Sequence, residues 1–566
     1  MPQGVNPDAW DQLEPLYRRL LDRPVWSAAE LEHLLADYAE LSAVVSEHMA
    51  RIRIEQSCHT DDKTIEARFL HCIQEIEPRI KPLAFALHKK VVESPFAAKL
   101  DADRYGVMLR NWKADVEIFR EANIPLQTQA QKLTTEYDKL VGAMTIENFQ
   151  GQGKTYTMQQ MARFLEEPDR GTREEAWTLM SQRRLRDAEA MEAIFDQLLE
   201  VRQRIAVNAD KATYRDYVWQ DWCRFDYTPE DCVAFGEAIE ASCMPLVEKL
   251  GEARQAALGV ERLRPWDLSV DPQNRAPLRP FAADDTEALV SRCTAVFERI
   301  DPSLAADFAQ LKPGRNLDLA SRPAKRAGGY QSSLEESREP FIFMNAAGLQ
   351  RDVETLLHEG GHAFHFIWAA AAEPLSFLRH APLEFCEVAS MGMELIAADA
   401  LSPFYPDPAD AARAKRTLLE GIVKFFPWMA TIDGFQHWLY THPGHTHVER
   451  AEAWGQLQRR FASGLIDWSG HEAEKAALWQ RQLHLFHCPF YYIEYGIAQL
   501  GALQLWQLYR DDPAAALDRY RAALTLGGKR PLPELFAAAG LRFDFSRATF
   551  EPLMQAVWDE LDRLPA

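Results

Sequence analysis

The sequence predicts a predominantly α-helical protein with one small β element. Three observations carry this: apolar residues recur at helical spacing over most of the 566 residues, capping residues precede those runs, and only two short segments read as strands. With 47% hydrophobic and 26% charged residues the chain has a globular composition, which excludes disordered and fibrous classes. Its length allows several packing units.

The first third reads as long amphipathic helices with short connections. Ser27 is placed to cap a helix from Ala28, with Glu30 closing a capping box, and Leu31, Leu34, Leu35, Tyr38, Leu41, Val44 and Val45 follow at a 3.6-residue period. A second helix starts between residues 60 and 64 and carries Ile65, Phe69, Cys72, Ile73 and Ile76 on one face. Near Leu258 the texture changes to Pro- and Gly-bearing segments that suit ordered loop, and another irregular stretch spans residues 317–345. Within it, AKRAGGYQSS and PFIFMN are short, flanked by breakers and read as a hairpin. From Asp352 the pattern is helical to the end, with stops at Pro374 and Pro403 and a capping box at Thr446 and Glu449.

A formal charge of −21 disfavours a nucleic-acid partner. The N-terminus lacks the features of a secretory signal, no apolar window approaches the roughly 18 residues of a membrane span, and the eight cysteines show no CxxC spacing. Together these predict a cytoplasmic protein with reduced thiols and no membrane partner.

Histidine is unevenly spread: 11 of 16 fall within residues 358–487. TLLHEGGHAFHFIW contains His358, Glu359 and His362, an HExxH whose i, i+4 imidazoles share one helix face and can grip one zinc ion, with Glu359 beside the open position. Leu356, Leu357, Phe364 and Phe366 surround the triplet, so its ionisable groups need a reason to be there. Gly360 and Gly361 each cost about 1 kcal/mol in a helix relative to Ala, which suits a close approach to the backbone. Pro382 opens a second helix bearing Glu384, Glu387 and Glu394, any one of which is within reach as third ligand, with at least one of the three expected to be a solvated surface carboxylate. His365 shares the face of His358, but seven residues, about 10 Å along the axis, is too far for one ion, so it reads as a packed or supporting histidine.

HEGGHAFH, preceded by PFIFMN and RDVETL and followed by EVAS, resembles the thimet oligopeptidase and oligoendopeptidase F family of zinc peptidases, particularly its Pz-peptidase-like bacterial members. The resemblance is strongest over residues 325–501, reaches back to about Tyr214, and departs at Gly360, where many relatives carry a larger residue. It implies a two-lobed helical zincin with a small β element beside the HExxH helix and a deep central channel. Residues 1–165 are then the N-terminal helical lobe and residues 166–566 the catalytic region. It also implies Glu387 as the third ligand, with Glu394 orienting a histidine. In HLFHCPFYYIEYGIAQ the resemblance assigns His484, Tyr495 and Tyr491 to substrate and oxyanion; Tyr492 is an alternative to Tyr491, because Pro489 disturbs the register. Gly328, Gly329 and Tyr330 are implied substrate contacts on a strand edge. His442, His445 and His447 read instead as a turn and cap.

The expected activity is zinc-dependent hydrolysis of internal bonds in short unstructured peptides, with one zinc ion on His358, His362 and Glu387, and Glu359 as general base. A carboxypeptidase or dipeptidyl carboxypeptidase with the same zinc site is the alternative, for which Lys325 or Arg326 would grip a C-terminal carboxylate. From another class stands an inactive peptide-holding helical protein.

Overall fold

A computed structural model describes residues 5–565 except Pro323 and Ala327; the first four residues of the N-terminal segment and Ala327 of the predicted first strand lie outside the described residues. The fold is mostly helical, as predicted, with a small sheet. Helix α1 (Ala28–Cys58) starts where Ser27 Oγ accepts the Glu30 N–H. The Glu30 carboxylate takes the N–H of Trp26, not of Ser27, so the expected capping box is displaced by one residue. Leu31, Leu34 and Leu35 of α1 join Leu13, Tyr105 and Trp112 in a small core that Leu375 and Leu378 also enter. From Ile118 onward the chain contributes to a second, larger core extending to Leu561.

Among the described residues five strands form two sheets, three strands more than the sequence suggested. A two-stranded ladder pairs β1 (Thr145–Glu147) with β2 (Thr155–Thr157). The other sheet has the order β3 (Leu317–Ala320), β5 (Glu339–Ala346), β4 (Tyr330–Leu334), with β3 parallel and β4 antiparallel to β5. The hairpin is therefore as predicted, although its first strand begins only at Tyr330. β3 escapes a local reading because LDLA is four residues long and owes its conformation to pairing with Ile342 and Phe343.

The buried central strand β5 packs on α3 (Gln350–Ala372), and α3 on α4 (Leu383–Ala397). Behind α4 lies α6 (Tyr492–Asp511), so three helices and an edge strand surround one cleft. Two longer helices, α2 (Pro229–Leu258) and the following α5 (Pro408–Thr441), pack together beside it. All eight cysteines are unpaired, and no helix among the described residues is long and apolar enough to cross a membrane.

Candidate active site

Four-residue spacing on α3 brings His358 and His362 onto one face, and their Nε2 atoms converge on one oxygen of Glu387 from α4: Oε2 lies 3.4 Å from His358 and 3.6 Å from His362. Donors about 2.0–2.1 Å from a tetrahedral zinc ion stand roughly 3.3–3.4 Å apart, so this set fits such an ion with little movement. Electrostatics agree. Burial by itself would raise the Glu387 pKa, yet the two histidines hold it well below the usual carboxylate range. Burial likewise opposes charging of His358, but Glu387 and Glu394 raise its pKa well above the usual imidazole value. The cluster thus favours added positive charge.

Two of the three side chains, His358 and Glu387, are oriented from behind. Glu394 Oε1 lies 2.6 Å from His358 Nδ1, which leaves Nε2 turned inward, and Ser390 Oγ donates to Glu387 Oε2 at 3.0 Å. None of the three glutamates on α4 is a solvated surface group, contrary to expectation: Glu384 accepts from Tyr227 Oη at 2.7 Å, Glu387 belongs to the cluster and Glu394 holds His358. Glu359 is 5% exposed, and its Oε2 has no hydrogen-bond partner among the described residues. Burial raises its pKa, offset in part by His358 and His362.

The paired glycines bring the helices together. A Cβ on Gly361 would stand 2.6 Å from the Ala389 carbonyl oxygen and 2.7 Å from Ser390 Cα, both backbone atoms of α4. On Gly360 it would meet only the far end of the Phe297 ring, at 2.8 Å. Gly361→Ala is therefore expected to lose about 1–3 kcal/mol through overpacking, less the roughly 1 kcal/mol of helix propensity regained, and to weaken metal binding by displacing Glu387. Gly360→Ala should be milder on both counts. Urea midpoints and competition with a chromophoric chelator measure the two effects; a Gly361→Ala protein as stable and tight-binding as Gly360→Ala would refute the close-approach argument.

The cleft, about 380 Å³, is lined by Gly329, Tyr330, Gln331 and Ser333 of the β4 side, by the HExxH face of α3, and by Glu387, Tyr491 and Tyr495. β4 is the sheet edge. Gly328 is exposed and lies outside this lining, whereas Gly329 and Tyr330 lie within it. His365 also lines the cleft; it is buried, and burial followed by His362 and His380 depresses its pKa to about 3. Tyr491 Oη is 3.4 Å from Glu387 Oε1, and its ring meets that of Tyr495 at 5.2 Å. Tyr492 is off the lining and packs on Phe425. The disturbance of helical register expected at Pro489 falls between a short helix (Leu483–His487) and α6, with Phe490 at φ 69°.

His484 stands behind the tyrosines, its ring 5.8 Å from those of Tyr491 and Tyr495, and is not part of the lining. Its tautomer follows from a relay that no local pattern reveals. Trp428 Nε1–H donates to Gln482 Oε1 at 3.2 Å, so the Gln482 amide nitrogen faces His484 Nδ1, at 2.6 Å, and the ring proton resides on Nε2. Burial and then His487 push the His484 pKa down to about 4, keeping the ring neutral near pH 7. A carboxylate at this position would stabilise the imidazolium, so Gln482→Glu is expected to raise the His484 pKa above about 4, move the neutral-ring proton to Nδ1 and slow turnover. An NMR titration of the His484 ring unchanged by Gln482→Glu would contradict this.

Lys325 does not face the cleft and so does not supply the grip on a C-terminal carboxylate that the carboxypeptidase alternative requires. Its side chain is fully buried, bound to Asp318 at 2.8 Å and to the Ala320 and Met344 carbonyls. Arg326 is exposed and off the lining. Arg379 does line the cleft, but its guanidinium is buried and paired with Glu335 at 2.8 Å.

The model of peptidase family M3 matches residues 163–297 and 306–554, and that of the peptidase M3 N-terminal domain matches residues 5–119. An oligoendopeptidase F homolog of Borreliella burgdorferi is 23% identical over 223 residues, 39% of this chain and 38% of that one, so the aligned stretch spans under two fifths of the relative's length. Among solved structures, Pz peptidase A with an inhibitor aligns over 99% of this chain and 98% of its own at 26% identity and TM-score 0.90. A structure assigned to oligoendopeptidase F gives 26% identity and TM-score 0.91 over the same shares. Oligoendopeptidase-F from Enterococcus faecium, at 16% identity and TM-score 0.65 over 98% of this chain and 97% of its own, shares the fold.

Proposed function

The chain belongs to peptidase family M3, and from that premise we propose that it is a zinc-dependent oligopeptidase hydrolysing internal bonds of short unstructured peptides. The observation that carries the reading is the convergence of His358 and His362 on Glu387 beside the unpaired Glu359 carboxylate, all facing a cleft bounded by a sheet edge. Zinc held by His358, His362 and Glu387 would supply Lewis-acid polarisation of a carbonyl and acidification of water.

This chain's own groups do the rest. The edge of β4 offers unpaired backbone groups to an extended peptide, which would lie across the cleft with its scissile carbonyl near Glu359. Glu359 takes a proton from the attacking water as the C–O bond forms, then delivers it to the amine nitrogen as the C–N bond breaks. Burial raises the pKa of Tyr491 and of Tyr495 far beyond neutrality, so both hydroxyls stay protonated as donors to the developing oxyanion. Neutral His484, with its proton on Nε2, supports them from behind.

Endopeptidase action is favoured over exopeptidase action because Arg379, the sole Arg or Lys among the described cleft-lining residues, is already paired. The test is to map cuts in internally quenched peptides of about eight residues, with free and amidated C-termini, using protein of measured zinc content. Internal cuts insensitive to amidation are expected. Loss of cleavage on amidation would establish the carboxypeptidase alternative, and no cleavage by zinc-loaded protein would overturn the peptidase assignment.

A further inference from the structure

Away from the cleft, a second group of potential ligands lies between α2 and α5. Cys232 comes from the first turn of α2, and Asp433 and His437 stand one turn apart on α5. They are 3%, 3% and 7% exposed, and one donor atom from each lies within 4.8 Å of the other two. His437 Nε2 is 3.2 Å from Asp433 Oδ2, close to the roughly 3.3 Å between two ligands of one tetrahedral ion. That approach is not a hydrogen bond. Asp433 Oδ1 and both ring nitrogens of His437 have no hydrogen-bond partner among the described residues, while Cys232 Sγ makes only a weak contact with the Thr228 carbonyl, at 3.4 Å. A buried carboxylate and imidazole normally find partners.

Among the described residues two other clusters away from the cleft meet the same distance test, and both are already satisfied. Asp8 accepts from Cys72 and pairs with His48 at 2.7 Å. Asp196 pairs with His447 at 2.7 Å and with the Arg450 guanidinium, which also holds Glu192. The Cys232 group differs in having inward-facing donors left over. The nearby cation, Arg224, is engaged by Glu494 at 2.7 Å and Glu384 at 3.8 Å.

We propose that Cys232, Asp433 and His437 form a second metal centre, one that ties α2 to α5 and takes zinc or a similarly thiophilic divalent ion. Thiolate, carboxylate and neutral imidazole balance a divalent charge, and a mixed sulfur, oxygen and nitrogen set suits zinc or cobalt better than magnesium or calcium. The rings of Trp219 and Phe490, 5.8 and 5.3 Å from His437, give the three donors an apolar surround, with a water to complete the tetrahedron.

The test uses full-length protein grown with added zinc, purified without chelator and dialysed. About two zinc ions per chain are expected in the wild type, about one in His358→Ala/His362→Ala, and none when Cys232→Ser is added. One ion per wild-type chain and none in the double-histidine variant would overturn the proposal, leaving buried water as the filler. Cobalt loaded into the double-histidine variant gives a second readout that does not require Cys232 to be altered: a thiolate-to-cobalt charge-transfer band is expected in the near ultraviolet. That band should survive Cys386→Ser, which removes the thiol lining the cleft. Its absence, or its loss on Cys386→Ser, would also overturn the proposal. Peptide cleavage enters neither readout, so failure here is distinguishable from failure of the peptidase assignment.

Discussion

Glu359→Gln is expected to lower kcat about 10²- to 10⁴-fold while leaving zinc content and the urea midpoint close to wild type. Glutamine matches the carboxylate in shape but cannot accept the proton that must leave the attacking water. Because Glu359 Oε2 makes no hydrogen bond to the described residues, the substitution breaks no bond there, and loss of turnover cannot be put down to loss of structure. Glu394→Gln provides the contrast. Its amide oxygen can still accept from His358 Nδ1–H, so the weakened charge should appear as 10- to 100-fold poorer metal affinity, with turnover recovering at saturating zinc. Side-by-side progress curves with metal analysis separate the two roles. A Glu359→Gln protein that cleaves at the wild-type rate would remove Glu359 from the chemistry.

The contrast between Glu359 and Glu394 also marks what the sequence makes legible. HExxH places two imidazoles and a carboxylate by helix geometry alone, and the adjacent glycines announce that another backbone comes close. Pairing those histidines with Glu387 requires a second helix at a particular height. Three glutamates on α4 were eligible by spacing, and the family resemblance distinguished them. Ser390, which steadies Glu387, and the Trp428 to Gln482 relay, which sets the His484 tautomer, carry no local signature because each depends on a partner brought in by tertiary packing. The same applies to β3, whose four residues become a strand only beside β5. Periodicity recovers helices because their hydrogen bonds are local; it says little about groups whose partners are some fifty residues away, such as Trp428 and Gln482.

Arg224→Met is expected to be the most destabilising single change near the site, by about 3–5 kcal/mol, because it strands two buried carboxylates. The guanidinium is buried among Trp219, Trp222 and Tyr227, with its centre 4.8–5.8 Å from their ring centroids. It donates to Glu494 Oε1 and to the Phe490 carbonyl, both at 2.7 Å, and stands 3.8 Å from Glu384. Burial opposes its charge, but Tyr227, Glu494 and Glu384 outweigh that and keep it protonated. Two distinct tasks follow. The charge compensates α4 and α6 at the level of Glu387 and Tyr491, and the bond to Phe490 secures a non-glycine residue in the left-handed region, a conformation costing about 1–2 kcal/mol. The tasks separate in Arg224→Met/Glu494→Gln, which removes one stranded charge but not the need to hold Phe490. Part of the lost stability should return in urea melts, while kcat stays depressed because Phe490, which leads into Tyr491, keeps its N–H bond to Gln436 but not the bond to its carbonyl. Full recovery of kcat along with stability would show that Arg224 acts through charge alone, and an unchanged midpoint in the single variant would show that the buried network contributes nothing.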